Sequence, residues 1–252
     1  MVQVIRYSDT PVGPYDELLI VPGSFGYRIK DDASGGETIR EEKNQRVTRI
    51  YVSQKHTCWN GRKSKLSPSH LTITSIFANN GSQDWNIPKH LARFSFKTLP
   101  GNGLSIAVRP HEDDELIPGL RSNPPPLFTA SYRPISYLPR FPMSTAIAKY
   151  IGQDLRLAQP PLPQGPENME ELAGTRKWCR VLPYLYSSKT SLGWWDLKQG
   201  NASDEDGLSV TGEQGEAREG SENFWPGLGR WRIGVKMEDA IIEFPAAVQW
   251  ED

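Results

Sequence analysis

A lysine stands between a proline and a histidine in the stretch 85–96, with apolar or aromatic residues on both sides. Because the residue before a proline avoids the α region, Ile87 and Pro88 predict a chain reversal or an extended entry that turns Lys89 toward the interior. Burial disfavours the charged form of a lysine, so we expect a lowered pKa for Lys89 and a free amine at neutral pH. Such an amine can attack a carbonyl carbon and form a Schiff base. The alternative is a surface lysine whose stem lies along Phe94 while its ammonium group stays in water.

The segments on both sides of this lysine predict a mainly β fold. Short runs of alternating, β-branched and aromatic residues are typical of half-buried antiparallel strands. We therefore expect a strongly curved sheet or a cone-like β-barrel with long loops, a polar hairpin loop over 31–42 and few peripheral helices, one of them over 144–151. The predicted strands cover residues 2–7, 15–22, 26–30, 46–53, 93–97, 104–108, 128–132, 178–186, 231–237 and 240–244.

Composition narrows the class of protein. The chain has 252 residues with a net charge of −1, and its charges of both signs are interspersed, which argues against a nucleic-acid-binding surface. The 21 prolines and 22 glycines favour turns and long loops over a helical bundle. Cys58 and Cys179 are too few for a disulfide framework. With no apolar run long enough for a membrane span and no leader pattern, we expect a protein of a reducing compartment, the cytoplasm, without a membrane.

Four short motifs together resemble the acetoacetate decarboxylase family, in particular its fungal acetoacetate decarboxylase-like members. They are the stretch 7–17, the strand 50–53, the pair Gly61-Arg62 and the pair Pro88-Lys89. The resemblance implies a single domain over 1–252 with a barrel or cone-like fold. It also implies that Lys89 is the Schiff-base lysine, that Glu17 is an active-site carboxylate, and that Arg62 organises the substrate.

The chain departs from the family pattern in four places. His90 takes the position of a second lysine, so burial or the charge of Arg93 would have to tune Lys89. Gln3 takes the position of a second carboxylate and cannot act as an acid or a base. The family's N-terminal region with an active-site arginine has no counterpart, so the chain is expected to be N-terminally short. The segment 64–84 is inserted before the Pro-Lys motif, either as a surface hairpin or as translated intron sequence.

Two polar segments suggest no chemistry of their own. Residues 200–223 are acidic, rich in glycine and low in apolar residues, and we expect them to be disordered. Residues 111–115 place a histidine beside four acidic residues, but a solvated loop is the preferred interpretation because no second ligand cluster supports a metal site.

The favoured hypothesis is a Schiff-base decarboxylase-like lyase that acts on a β-keto acid or a related carbonyl metabolite, without a metal or organic cofactor. Lys89 and Glu17 are its catalytic candidates, and Arg62, His90 and Arg93 are its candidates for substrate binding. Without the second lysine, an aldolase, dehydratase or hydrolase that acts on a larger secondary metabolite is equally reasonable. The alternatives are a β-barrel that binds a small apolar ligand without catalysis, and an inactive, truncated family member. The family resemblance also implies a homo-oligomer.

Overall fold

A computed structural model of the chain describes residues 1–30, 39–64, 83–111, 126–167, 169–197 and 231–251. The prediction of a mainly β fold with a curved, largely antiparallel sheet and few helices is confirmed. The predicted disordered loop 200–223 and residues 65–82 of the inserted segment lie outside the described residues. Among the helices in these ranges, none has the length and apolar character that a bilayer crossing requires.

The elements follow one another along the chain as a long series of strands with few helices. One α-helix, α1 (Lys55–Arg62), and two 3-10 helices, Thr145–Ile151 and Glu170–Leu172, lie among them. The strands are β1 (Val2–Tyr7), β2 (Tyr15–Ile20), β3 (Gly23–Lys30), β4 (Ile39–Arg46), β5 (Arg49–Val52), β6 (Lys63–Ser64), β7 (Gln83–Asp84), β8 (Lys89–Leu99), β9 (Gly103–Pro110), β10 (Phe128–Pro134), β11 (Phe141–Ser144), β12 (Leu157–Gln159), β13 (Trp178–Val181), β14 (Tyr184–Asp196), β15 (Trp231–Glu238), β16 (Ile241–Glu243) and β17 (Val248–Trp250).

The chain folds into two compact units. The first comprises Met1–Leu91, Ser144–Tyr186 and Ala240–Asp252, and the second comprises Ala92–Met143 and Ser187–Asp239. Strands β8 and β14 each contribute residues to both units. The predicted catalytic residues, Glu17 and Lys89, belong to the first unit.

In the first unit, β1, β2 and β5 form an antiparallel sheet, and the start of β8 joins β5 in a parallel pair. A parallel pair requires a crossover connection. Here α1 lies within the crossover between β5 and β8, a helix that the strand patterns do not predict. Its buried residues are Thr57, Cys58, Gly61 and Arg62, which lie on one side of the helix because of their spacing. The helix therefore covers the sheet on the side of its core, formed by Leu19, Val21, Val47, Ile50, Val52 and Cys58.

A second sheet of the first unit has the strand order β17-β13-β12-β4-β3. Strand β4 includes residues 39–42, which we predicted as part of a polar loop. It pairs with β3 along its whole length, from Gly23 opposite Arg46 to Lys30 opposite Ile39. Cross-strand polar contacts, such as the hydrogen bond from Tyr27 to Glu42, stabilise a strand whose own composition does not favour one.

The second unit is an antiparallel sheet in which β8 from Ala92, β9, β10, β14 and β15 follow one another. Its buried residues include Ile106, Val108, Phe128 and Tyr132. The predicted pairing of 231–237 with 240–244 is wrong. Strand β15 and strand β16 each pair with β14, and Asp239, with φ of 50°, turns the chain between them.

Candidate active site

Neighbouring strands of the first unit present one face on which the two predicted catalytic residues meet. Glu17 and Leu19 lie two residues apart on β2, so their side chains point to the same face. Leu19 is opposite Ile50 of β5, and Ile50 is aligned with Lys89 of β8. Because paired residues share a face of a sheet, the register brings Lys89 to the side of Glu17.

Glu17 and Lys89 form a buried ion pair. The Oε2 atom of Glu17 lies 2.9 Å from Nζ of Lys89, and the two residues are 5 % and 7 % exposed. Both side chains line a cavity of about 200 Å³. Most of the cavity wall is apolar, and it includes Ile5, Leu157, Leu185, Ile242 and Phe244.

Two stacked tyrosines extend this polar centre. Tyr15 lies beside the lysine, with its ring centroid 5.2 Å from Nζ of Lys89. The ring of Tyr7 stacks on that of Tyr15 at a centroid distance of 4.5 Å. Burial, followed by the charge of Glu17, raises the pKa of Tyr7, and burial also raises the pKa of Tyr15. Both hydroxyls therefore stay neutral at physiological pH.

The pKa of Lys89 differs from our expectation. Desolvation by burial lowers it, as the sequence suggests, but the charge of Glu17 and the contacts with Glu17 and Tyr15 outweigh that effect. The pKa is therefore raised above the ordinary lysine value of 10.5. Lys89 is therefore a protonated amine that pairs with the carboxylate of Glu17, whereas we expected a free amine.

A strained turn delivers Lys89 to the cavity. Asn86 has φ of 54° and is fully buried, and its Nδ2 donates hydrogen bonds to the carbonyls of Gln159 and Lys177 at 3.3 and 2.5 Å. The backbone N–H of Ile87 donates to the carbonyl oxygen of Gly61 at 2.9 Å. The backbone N–H of Lys89 donates to the carbonyl oxygen of Ile87 at 2.8 Å, so of the two predicted geometries the chain adopts a tight bend and not an extended entry. These contacts tie the bend to α1 and to the second sheet of the same unit.

Gly61 provides the space for the stem of Lys89. A Cβ atom at Gly61 would lie 2.6 Å from Cδ and 2.8 Å from Cε of the lysine. Those distances are below van der Waals contact, so only glycine allows α1 to pack this closely on Lys89. The glycine of the Gly-Arg pair, one of the motifs that resemble the family, is thus required by the close packing of α1 on Lys89.

Arg62 lies apart from the cavity. It is 5 % exposed, and its Nη1 donates hydrogen bonds to the carbonyls of Pro163 and Ala173, both at 3.4 Å. It is not among the residues that line the cavity. Arg62 therefore ties α1 to Pro163 and Ala173, and its contact with substrate stays a prediction.

The other two predicted substrate-binding residues also lie outside the cavity wall. His90 follows Lys89 on β8, so its side chain points to the opposite face, where it is exposed beside Tyr51 at a ring centroid distance of 6.3 Å. Arg93 belongs to the second unit, where its Nε donates to the carbonyl of Pro110 at 3.4 Å. The Lys-His sequence therefore does not provide a pair of adjacent side chains at one site.

Two further residues complete the surroundings of Lys89. Gln3, at the position where the family resemblance expects a second carboxylate, lines the cavity. Cys58 of α1 is fully buried, and burial raises the pKa of its thiol to about 12. The thiol is therefore protonated at neutral pH and is not a ready nucleophile.

Sequence reasoning missed the two tyrosines as site residues. A usable signal is present, because Tyr15 is two residues before Glu17 and shares its face of β2. Tyr7 is opposite Tyr15 in the β1–β2 pair. Once Glu17 is placed at a cavity, residues two positions away on its strand and opposite them on the paired strand are expected at the same cavity. Tyr15 and Tyr7 could have been found in this way.

No protein-family model matches the chain, and comparisons with curated proteins and with solved structures likewise find no match. Within the described residues, no cluster of three or more metal-ligating side chains occurs. Of the acidic run at 111–115, only His111 falls within those residues.

Proposed function

We propose that the protein is a Schiff-base-forming lyase of the decarboxylase type, acting on a small carbonyl compound such as a β-keto acid or a related metabolite. The observation that carries this proposal is the ion pair between Lys89 and Glu17 at the wall of an apolar cavity. A buried lysine beside a proton acceptor and open space has what imine formation requires. The family resemblance of the surrounding motifs supports the same chemistry.

The first step is a proton transfer over the 2.9 Å that separate Nζ of Lys89 from Glu17. An apolar carbonyl compound that fills the cavity removes water from both charges. Desolvation favours the neutral forms of an amine and a carboxylic acid, so the proton moves from Lys89 to Glu17. The neutral amine is then adjacent to the carbonyl carbon.

Schiff-base formation follows the proton transfer. The Nζ lone pair forms a bond to the carbonyl carbon, and a proton passes from nitrogen to the former carbonyl oxygen to give a carbinolamine. Glu17 then donates its proton to the departing hydroxyl, which leaves as water and yields the protonated imine and the Glu17 carboxylate. With a β-keto acid, the protonated imine accepts the electron pair of the breaking C–C bond as carbon dioxide leaves, which gives an enamine. A proton from solvent is added to the enamine carbon and restores the protonated imine, and water then hydrolyses it to release the ketone and the lysine.

Reduction of the imine provides a direct test. The protein is incubated with a carbonyl compound and borohydride, and the adduct is located by peptide mass spectrometry. We expect a reduced adduct on Lys89 that is absent from Lys89→Ala. Lys97, which lies in the second unit, serves as the matched lysine control. A folded protein without an adduct across keto acids, ketones and aldehydes would refute the proposal.

A second candidate function is the binding of a small apolar ligand without catalysis. The raised pKa of Lys89 and the apolar cavity wall favour this function, because a binding site has no need for a neutral amine. The two functions differ in the fate of the ligand. A binder protects the protein against thermal unfolding and releases the ligand unchanged, and borohydride leaves no covalent mass on Lys89.

A further inference from the structure

We infer that the carbonyl compound taken by Lys89 is a neutral ketone or aldehyde with an apolar substituent, in preference to a keto acid. This inference rests on the Schiff-base step of the proposed function. Among the carbonyl compounds considered there, it favours the related neutral metabolites over the β-keto acid, because a neutral ketone has no carboxylate to lose. Its basis is the position of the Glu17 carboxylate, 2.9 Å from the nitrogen that becomes the imine, within an apolar wall.

Charge balance at the buried site favours a neutral reactant. A protonated imine on Lys89 has one positive charge, and the carboxylate of Glu17 already neutralises it. A keto acid brings a second carboxylate close to the imine nitrogen, which leaves one uncompensated negative charge in a cavity where charges are poorly solvated. Tyr7 and Tyr15 can hydrogen-bond to an oxygen atom, but their neutral hydroxyls do not cancel a full charge.

The cavity wall indicates the kind of substituent. Aliphatic and aromatic side chains such as Ile5, Leu157, Leu185 and Phe244 surround the space next to Lys89. The volume of about 200 Å³ is smaller than the range of about 300–1,000 Å³ that is typical of sites for drug-sized ligands. A short alkyl or aromatic substituent fits both the size and the polarity of this space.

Two probes of equal size separate the charge from the shape of the reactant. Isoamyl methyl ketone and levulinate are both methyl ketones with the same number of heavy atoms, and only levulinate has a carboxylate. Each is incubated with the 252-residue protein and borohydride, and the rate of adduct formation on Lys89 is measured. The rates are divided by those of a simple alkylamine in solution, which removes any difference in intrinsic reactivity.

We expect the wild-type protein to trap the neutral ketone at least about tenfold faster than levulinate. In Glu17→Gln the uncompensated positive charge on the imine favours the carboxylate, so the ratio should reverse. Equal or faster trapping of levulinate by the wild-type protein would overturn the inference while leaving Schiff-base chemistry intact. A ratio that Glu17→Gln does not change would do the same.

The absence of an adduct with either probe, from a protein that melts cooperatively, would instead refute the proposed function itself. The wild-type ratio decides the inference by itself if Glu17→Gln does not fold, which thermal melting reveals. A Lys97→Gln variant is the control, because Lys97 is exposed, belongs to the second unit and does not line the cavity. It should keep the wild-type preference for the ketone, and a lost preference in this variant would contradict the assignment of the preference to the cavity.

Discussion

Two of the ion pairs between strands of the first unit differ in their surroundings. Glu42 of β4 contacts Arg180 of β13 and accepts hydrogen bonds from Tyr27 at 2.9 Å and Arg40 at 2.7 Å. The Tyr27 hydroxyl also lies within hydrogen-bond distance of Oδ1 of Asn44, so its single proton can be donated to either acceptor. Burial alone would raise the pKa of Glu42, but the hydrogen bond from Tyr27 and the charge of Arg180 hold it below its usual value. The pair of Glu42 and Arg180 therefore lies in a network of hydrogen-bonding side chains.

The pair of Glu17 and Lys89 is more deeply buried and lies next to open space. Its side chains are 9 % and 7 % exposed for Lys89 and Glu17, against 16 % and 17 % for Arg180 and Glu42. Apolar side chains and a cavity surround it, with Tyr15 as its polar neighbour. A polar network that is satisfied by its own members specifies a structure. An ion pair at the wall of a cavity has fewer polar partners and contributes less to the stability of the fold, but a reactant in the cavity can reach its amine and its carboxylate.

Removal of Lys89 should have the largest effect. Lys89→Met leaves the carboxylate of Glu17 buried without its partner, and we expect a loss of about 3–5 kcal/mol in the free energy of unfolding. Replacing both residues in Lys89→Met/Glu17→Leu should restore most of that loss, since well-packed apolar side chains often replace a buried ion pair without a penalty. Urea unfolding of the two single variants and the double variant measures both effects.

If the double variant is as unstable as Lys89→Met, the ion pair contributes to folding in the way that the Glu42 network does. The contrast between the two pairs would then fail. If the double variant regains stability but forms no borohydride adduct, the pair of Glu17 and Lys89 serves the reaction and not the stability of the fold.

Gly61→Ala should have the next largest effect, on the rate of trapping. The new Cβ atom would lie 2.6 Å from Cδ of Lys89, so the lysine stem has to move away from its contact with Glu17. A misplacement of about 1 Å can reduce a reaction rate by up to about 100-fold. We expect a loss of that order in adduct formation, measured by mass spectrometry at fixed carbonyl concentration.

Gly23→Ala is the matched control, because a Cβ atom at Gly23 meets no atom within 4 Å. It should trap at the wild-type rate. Equal rates for Gly61→Ala and wild type would show that the lysine stem is not held where the geometry places it, and Lys89 would then resemble a flexible surface lysine.

The family resemblance places Glu17 and Lys89 in one site, and the structure brings both to one cavity wall. The β-rich runs of β1 and β2 and the alternating pattern of β5 are visible in the sequence, and the bend before Lys89 follows from Pro88. Arg62 and His90 had predicted contacts with substrate, but each has another physical environment. Arg62 is a long side chain whose donors reach the carbonyls of a neighbouring segment, and His90 lies on the opposite face because faces alternate along a strand.

Other features could not be predicted because they arise from tertiary contacts. The residues of β4 are polar and favour a loop, and only the contacts with β3 and with Arg180 make them a strand. Helix α1 has few apolar residues, so its pattern is weak. The direction of the pKa of Lys89 depends on a carboxylate 72 residues away, since burial alone predicts the opposite sign.

The pH dependence of trapping should separate the effect of burial from that of Glu17. The pKa of Lys89 is raised above 10.5, so the directly reactive amine increases as the pH rises toward and beyond that value. In Glu17→Gln the desolvation remains but the opposing charge is gone, and the midpoint of the profile should move to lower pH. Rates of adduct formation with isoamyl methyl ketone across the alkaline range measure both profiles.

The same shift has a consequence for stability with a defined sign. A raised folded-state pKa of a lysine stabilises the fold fully below its unfolded value of 10.5, and this contribution is lost as the pH rises through the folded-state pKa. The difference in stability between wild type and Lys89→Met should therefore shrink at strongly alkaline pH. A difference that stays constant there would contradict the raised pKa.

The smallest effect on trapping is expected from the other ion pair. Arg180→Met removes a charged partner of Glu42 and should lower the free energy of unfolding by about 1.5–3 kcal/mol, the usual contribution of hydrogen bonds to charged groups. The rate of adduct formation on Lys89 should not change, because Arg180 and Glu42 do not line the cavity. Urea unfolding and borohydride trapping on the same sample give both values. A loss of stability with unchanged trapping would show that the Glu42–Arg180 pair maintains structure while the Glu17–Lys89 pair supports the reaction. Reduced trapping in the folded variant would mean that the two pairs act on one site.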